Sequence, residues 1–211
     1  MFVDLEIAKV GQRRRILQVA AIAVTRSLHE IETFEAKIRI DERLMRAGQI
    51  RNRHFDAQLW KSEGRSEKAV AYDFGRFLTR HATADVTGAG FRPMVVAQLV
   101  AHNAEFDGAF LRKWFERLRL FLPASYRVFC TLHRAMWLFH EDRLLTPPND
   151  FKLGTLCQYF GVALRASQAH DALADVRATV ELYRRITMLV AARTAENAAL
   201  QPISSRIKGC G

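Results

Sequence analysis

Short apolar blocks come first along the chain and longer amphipathic ones later, which predicts strands followed by helices. Residues 1–8, 16–25 and 31–40 have strand length and strand composition. Turn-sized connections at Gly11-Gln12-Arg13 and at 27–30 predict that these three pair antiparallel. A polar stretch, 41–65, precedes a helical segment at 67–81 with Val70, Phe74, Phe77 and Leu78 on one stripe. Residues 83–93 read as loop, 94–101 as a strand, 104–120 as a helix and 127–130 as a short strand. A helix at 131–139 follows, and Thr146-Pro147-Pro148-Asn149-Asp150 breaks the chain. A short helix at 152–160 is closed by Gly161. The last helix spans 171–192, with Leu173, Val176, Val180, Tyr183 and Val190 on one face. Periodicity is then lost, so 194–211 is expected to be a flexible tail to a single domain over 1–193. The order of elements predicts an α/β domain with a mixed sheet.

The composition changes this picture little. Of 211 residues, 49% are hydrophobic and 26% charged, as in an ordinary globular chain. The apolar runs 16–24 and 94–101 are interrupted by Gln18 and Gln98 and are too short to span a membrane. No signal-like segment precedes Phe2-Val3-Asp4-Leu5-Glu6, so a cytoplasmic location is the expectation. Cys130, Cys157 and Cys210 are too far apart for a zinc knuckle or a redox pair, and an odd count suits a reducing compartment. The net charge of +10 favours a polyanionic partner, but carries weight only beside a site that does phosphate chemistry.

Such a site is suggested by carboxylates in costly places. Asp4 and Glu6 are two apart on an apolar strand and project from one face. Like charges there repel and lose hydration unless a cation lies between them; a wet acidic edge strand is the plainer reading. Asp107 heads the stripe continued by Leu111, Trp114 or Phe115, Leu118 and Leu122, while Asn103 offers an equally good helix cap. In His170-Asp171-Ala172-Leu173-Ala174-Asp175, Asp171 fits an N-cap, with His170 before it and Asp175 a turn into the helix. That group reads either as a helix-start cluster or as one wall of a metal site.

Together these segments resemble the histidine-containing branch of the DEDD superfamily of 3′→5′ exonucleases, which includes the epsilon-type proofreading subunit of bacterial DNA polymerase III. The motifs are Phe2-Val3-Asp4-Leu5-Glu6, Ala101-His102-Asn103-Ala104-Glu105-Phe106-Asp107 and His170 through Asp175. Cys130-Thr131-Leu132 and Lys152-Leu153-Gly154-Thr155-Leu156-Cys157 also look like family segments, and the likeness covers roughly 1–190. The resemblance implies a ribonuclease-H-like fold, a mixed five-stranded sheet flanked by helices, as an exonuclease domain. It implies two divalent cations, Mg²⁺ or Mn²⁺, about 3.5–4 Å apart. Asp4, Glu6 and Asp175 would hold the tighter one, Asp4 would bridge to the second, and Asp107 would support that second ion. His170 would take the proton of the attacking water. His102, Asn103 and Phe106 are the candidate substrate-binding residues.

Two departures from the family pattern stand out. Ile7 and Ala8 occupy places where many relatives have threonine, and Gln18 stands where proofreading relatives often have glutamate. The expected substrate is the 3′ end of single-stranded DNA, in proofreading or repair, with a DNA polymerase or other replication or repair protein as a candidate partner. An RNA-trimming exonuclease is the nearest alternative, because the metal site does not read the 2′-OH. A non-catalytic nucleic-acid-binding module is the alternative of another class, and the presence of all five site residues argues against it. Lys37, Arg53, Arg112 and Arg134 mark basic stretches that could form a track for the backbone, and Phe55, Trp60 or Phe91 could stack on bases.

Overall fold

A computed structural model describes residues 1–10, 13–43, 50–51, 55–87, 93–164 and 171–200. The first two apolar blocks form an antiparallel hairpin, β1 (Phe2–Val10) and β2 (Arg13–Val24), and β3 (Glu30–Lys37) pairs with the free side of β2. The register places Asp4 opposite Ala20 and Glu6 opposite Gln18, and it shifts by a bulge immediately after Glu6. β4 (Ile50–Arg51) adds a short antiparallel pairing at Lys9 and Val10.

The expected strand at 94–101 is divided. β5 (Ala84–Val86), inside the stretch read as loop, pairs with β6 (Met94–Val96) as a separate two-stranded sheet. β7 (Val100–Ala101) alone enters the main sheet, parallel to β1 and to β8 (Phe129–Cys130). The break falls at Gln98, whose side chain donates to the carbonyls of Leu99 and Arg127 and whose carbonyl accepts from the Met1 amine. The main sheet has the order β3-β2-β1-β7-β8, with β4 beside β1, so the strand carrying Asp4 and Glu6 is central.

Alternation along the strands sorts the two faces. Val3, Leu5, Val19, Ala21 and Ala23 face α2 (Glu67–Arg80) and α3 (Ala104–Arg117), with Phe74, Phe77, Leu111, Trp114 and Phe115 in the same core. A short helix the polar composition did not predict, α1 (Ala57–Glu63), starts where the Asp56 carboxylate accepts from Gln58 and Leu59. α4 (Thr131–Glu141) and α5 (Leu153–Tyr159) form a second cluster through Leu138, Phe139, Leu156 and Cys157. α6 (Ala172–Leu200) covers the other sheet face, where Phe2, Ala20 and Ile22 meet Ala172, Val176 and Val180.

α6 runs past residue 193, where the tail was expected to begin. Ala191, Ala192, Ala195, Ala198 and Ala199 favour helix without needing an apolar stripe, and Arg193 ties it to Asp142 while pairing with Glu196 one turn on. Cys210 and the rest of 201–211 lie outside the described residues. None of the described helices is long and apolar enough to cross a membrane.

Phe74 is fully buried and its ring meets those of Phe34, Phe77, Trp114 and Phe115. Phe74→Ala is therefore expected to cost about 3–5 kcal/mol of stability. Urea denaturation checks this; a loss under about 1 kcal/mol would mean that this cluster does not organise the core.

Candidate active site

Asp4 and Glu6 share the β1 face on which α6 packs, and the alanine opposite Asp4 leaves room above it. Asp175 comes to the same place from the first turn of α6. One carboxylate oxygen from each of Asp4, Glu6 and Asp175 lies within 4.8 Å of the others. Glu6 and Asp175 are each 9% exposed and Asp107 only 3%. Burial first, then the charges of Asp107, Asp175, Glu6 and Asp171, push the Asp4 carboxyl well above its usual range. Every one of those influences acts in one direction. A cation at the centre would reverse them, and an all-carboxylate donor set from rigid elements fits a hard divalent ion such as Mg²⁺ or Mn²⁺.

Asp107 stands outside that trio but within electrostatic reach of Asp4. It sits in the first turn of α3, where burial raises its carboxyl to about 7; hydrogen bonds from its own N–H and that of Leu5 work the other way. Asn103 takes the N-cap position in a left-handed conformation, φ 63°, and its side chain makes no capping bond; its carbonyl accepts from Phe106 instead. Asn103 is exposed, and Phe106, half-buried, packs its ring 4.7 Å from that of Phe110. His102 follows β7 directly. Its Nε2 is 3.0 Å from the Phe151 carbonyl and its Nδ1 2.9 Å from the Thr131 hydroxyl. Nε2 donates to the Phe151 carbonyl and Nδ1 meets the Thr131 hydroxyl, while burial lowers the pKa of the ring. Both ring nitrogens are thus used within the protein, which leaves the ring face as the surface a substrate could touch.

His170 lies outside the described residues; its neighbour Asp171 is the N-cap of α6, with Oδ1 accepting from the Ala174 N–H at 3.0 Å. Of the suggested stacking residues, Trp60 is buried, its indole N–H bonded to the Leu17 carbonyl and its ring against Phe55; Phe91 is outside the described residues. Lys37 is committed to Glu63 at 2.8 Å. Sequence reasoning singled out Gln18 but missed its partners, Glu35 on β3 and Asp171 at the start of α6. The signal was present: one polar residue interrupts an otherwise apolar strand.

Residues 89–183 match the family model described as exonuclease. The matched stretch is a little under half of the chain. Asp107, His170 and Asp175 fall inside the matched stretch, whereas Asp4 and Glu6 precede it and are joined to Asp175 by the fold. A 99-residue stretch is 34% identical to DNA polymerase III PolC-type of Oceanobacillus iheyensis, covering 47% of this chain and 6% of that protein. Exonuclease I structures are similar across nearly the whole chain. One has a TM-score of 0.60 at 20% identity over 96% of this chain and 46% of its own. The zinc-bound E. coli exonuclease I complex with single-stranded DNA has 0.61 at 21%, over 89% and 40%. The enzyme of Methylocaldum szegediense has 0.59 at 20%, over 88% and 39%. At such identities the likeness is one of fold, and the chain has the ribonuclease-H-like fold. It spans less than half the length of these relatives.

Proposed function

We propose that the chain is a metal-dependent 3′→5′ exonuclease that releases nucleoside 5′-monophosphates from single-stranded DNA ends. The observation that carries this reading is the convergence of Asp4, Glu6 and Asp175 within 4.8 Å, with buried Asp107 beside them. Two divalent cations, Mg²⁺ or Mn²⁺, would be held there, Asp4, Glu6 and Asp175 taking the tighter one and Asp107 supporting the other. Such ions, when bound, stabilise charge on the attacking and leaving oxygens of a phosphodiester. The protein's own share is to hold these carboxylates at fixed places on β1, α3 and α6. His170, directly before the α6 cap, is placed in sequence to take a proton from the attacking water. His102, Asn103 and Phe106 supply surface for the terminal nucleotide where β7 turns into α3. The charge of +10 draws a polyanionic strand toward the site. Single-stranded DNA is favoured because an exonuclease I relative is solved bound to it. A polymerase match and an exonuclease I structure solved with SSB-Ct support a replication or repair partner, at work in the cytoplasm.

The test offers purified protein 3′- and 5′-labelled single-stranded DNA, duplex DNA and RNA, with Mg²⁺, Mn²⁺ or chelator. Stepwise shortening of single-stranded DNA from its 3′ end, only with metal, is expected. Activity that survives chelation, or shortening from the 5′ end alone, would sink the reading. RNA degraded faster than DNA would move the substrate to the RNA-trimming alternative.

A further inference from the structure

Gln18 is 1% exposed in β2, between β1 and β3, opposite Glu6 on one side and Lys37 on the other. Its amide nitrogen donates to Glu35 Oε1 at 2.9 Å and to Asp171 Oδ2 at 3.3 Å. Both neighbours are carboxylates, so only the nitrogen, with its two hydrogens, can face them. Asp171 gives its other oxygen to the Ala174 N–H and its carbonyl to the Asp175 N–H, each at 3.0 Å. An unbroken hydrogen-bonded path therefore runs from the centre of β2 to the turn that presents Asp175. On the far side Glu35 lies 3.7 Å from the Lys37 ammonium, which is anchored on Glu63 and stands 5.7 Å from the Trp60 ring centre. Burial works against the Lys37 charge, but Glu63, Glu35 and Asp171 more than offset it.

We propose that Gln18 is a positioning residue of the active site, setting through Asp171 where α6 delivers Asp175 to Asp4 and Glu6. A glutamate at this place would set a third carboxylate against Glu35 and Asp171 with no hydrogen to give either. The departure from the glutamate of proofreading relatives then has a physical reason: here the partner across the sheet is itself an acid. The proposal rests on the nuclease reading for its kinetic arm only.

The test compares wild type, Gln18→Glu, Gln18→Met and Gln18→Glu/Asp171→Asn, with Mn²⁺ affinity by paramagnetic resonance titration and kcat and KM on a 3′-labelled oligonucleotide. Gln18→Glu is expected to weaken Mn²⁺ binding and lower kcat, each about ten-fold, with KM unchanged. Adding Asp171→Asn supplies an amide donor for the new carboxylate and should recover most of both losses. Gln18→Met, uncharged and similar in size, should lose in the same direction if the charged variant folds poorly. Unchanged Mn²⁺ affinity in both single variants, or a loss that Asp171→Asn does not recover, overturns the proposal. Wild-type protein that shows this Mn²⁺ pattern yet cuts no substrate would refute the nuclease reading and leave the positioning role standing.

Discussion

Asp4→Asn is expected to abolish 3′-end hydrolysis while making the metal-free protein more stable. The two effects have one cause. Asp4 lies among Asp107, Asp175, Glu6 and Asp171, all of which oppose its ionisation, as does its burial. Losing the central ligand removes several kcal/mol of transition-state stabilisation, on the order of a thousand-fold in rate at 1.36 kcal/mol per decade. Without metal, the amide relieves like-charge repulsion and should raise the melting temperature at pH 8. His170→Ala provides the contrast. It should lower kcat by roughly a hundred-fold or more while Mn²⁺ binding persists, as expected of a general base. Single-turnover kinetics, Mn²⁺ titration and thermal melts in chelator check the set. An Asp4→Asn protein that still hydrolyses DNA at a tenth of the wild-type rate would contradict the site.

The second large effect is on stability against pH. In the folded, metal-free protein the Asp107 carboxyl is raised to about 7, from an ordinary value of 3.8. Between those values the folded chain holds a proton that the unfolded chain has released, so each rise in pH favours unfolding. The stability is fully present below about pH 4 and lost by about pH 7; a rise of that size corresponds to ~4 kcal/mol as an upper figure. Differential scanning calorimetry in chelator should show wild type losing Tm across this window relative to Asp107→Asn, which lacks the titrating group. Mn²⁺ at a hundred times its Kd should return about 2.7 kcal/mol at pH 8. Parallel pH profiles for the two proteins in chelator would show that Asp107 is not the source.

What could be read from the chain was whatever depends on local period. Two-residue spacing placed Asp4 and Glu6 on one strand face, and the three- and four-residue steps after Asp107 placed it on the buried side of α3. The N-cap at Asp171 followed from residue type alone. What depends on distant partners was not legible. The strand expected at 94–101 splits because Gln98 spends its side chain on Leu99 and Arg127. Asn103 has the chemistry of a cap yet adopts φ 63° and leaves its side chain unused for that purpose. Gln18 stood out only as an interruption of apolar residues; its meaning lies 153 positions away, at Asp171.

The scatter of the carboxylates along the chain has a consequence for biosynthesis. Asp4 and Glu6 leave the ribosome first, Asp107 midway, and Asp175 only with α6. Domains fold as units once their chain is available, and here the helix that covers one sheet face also brings the last ligand. On the proposed reading, a chain made only up to α6 would lack Asp175 from its metal site, and cleavage would begin only once α6 has been synthesised. Truncated translation products would be inert toward the nucleic acid around them.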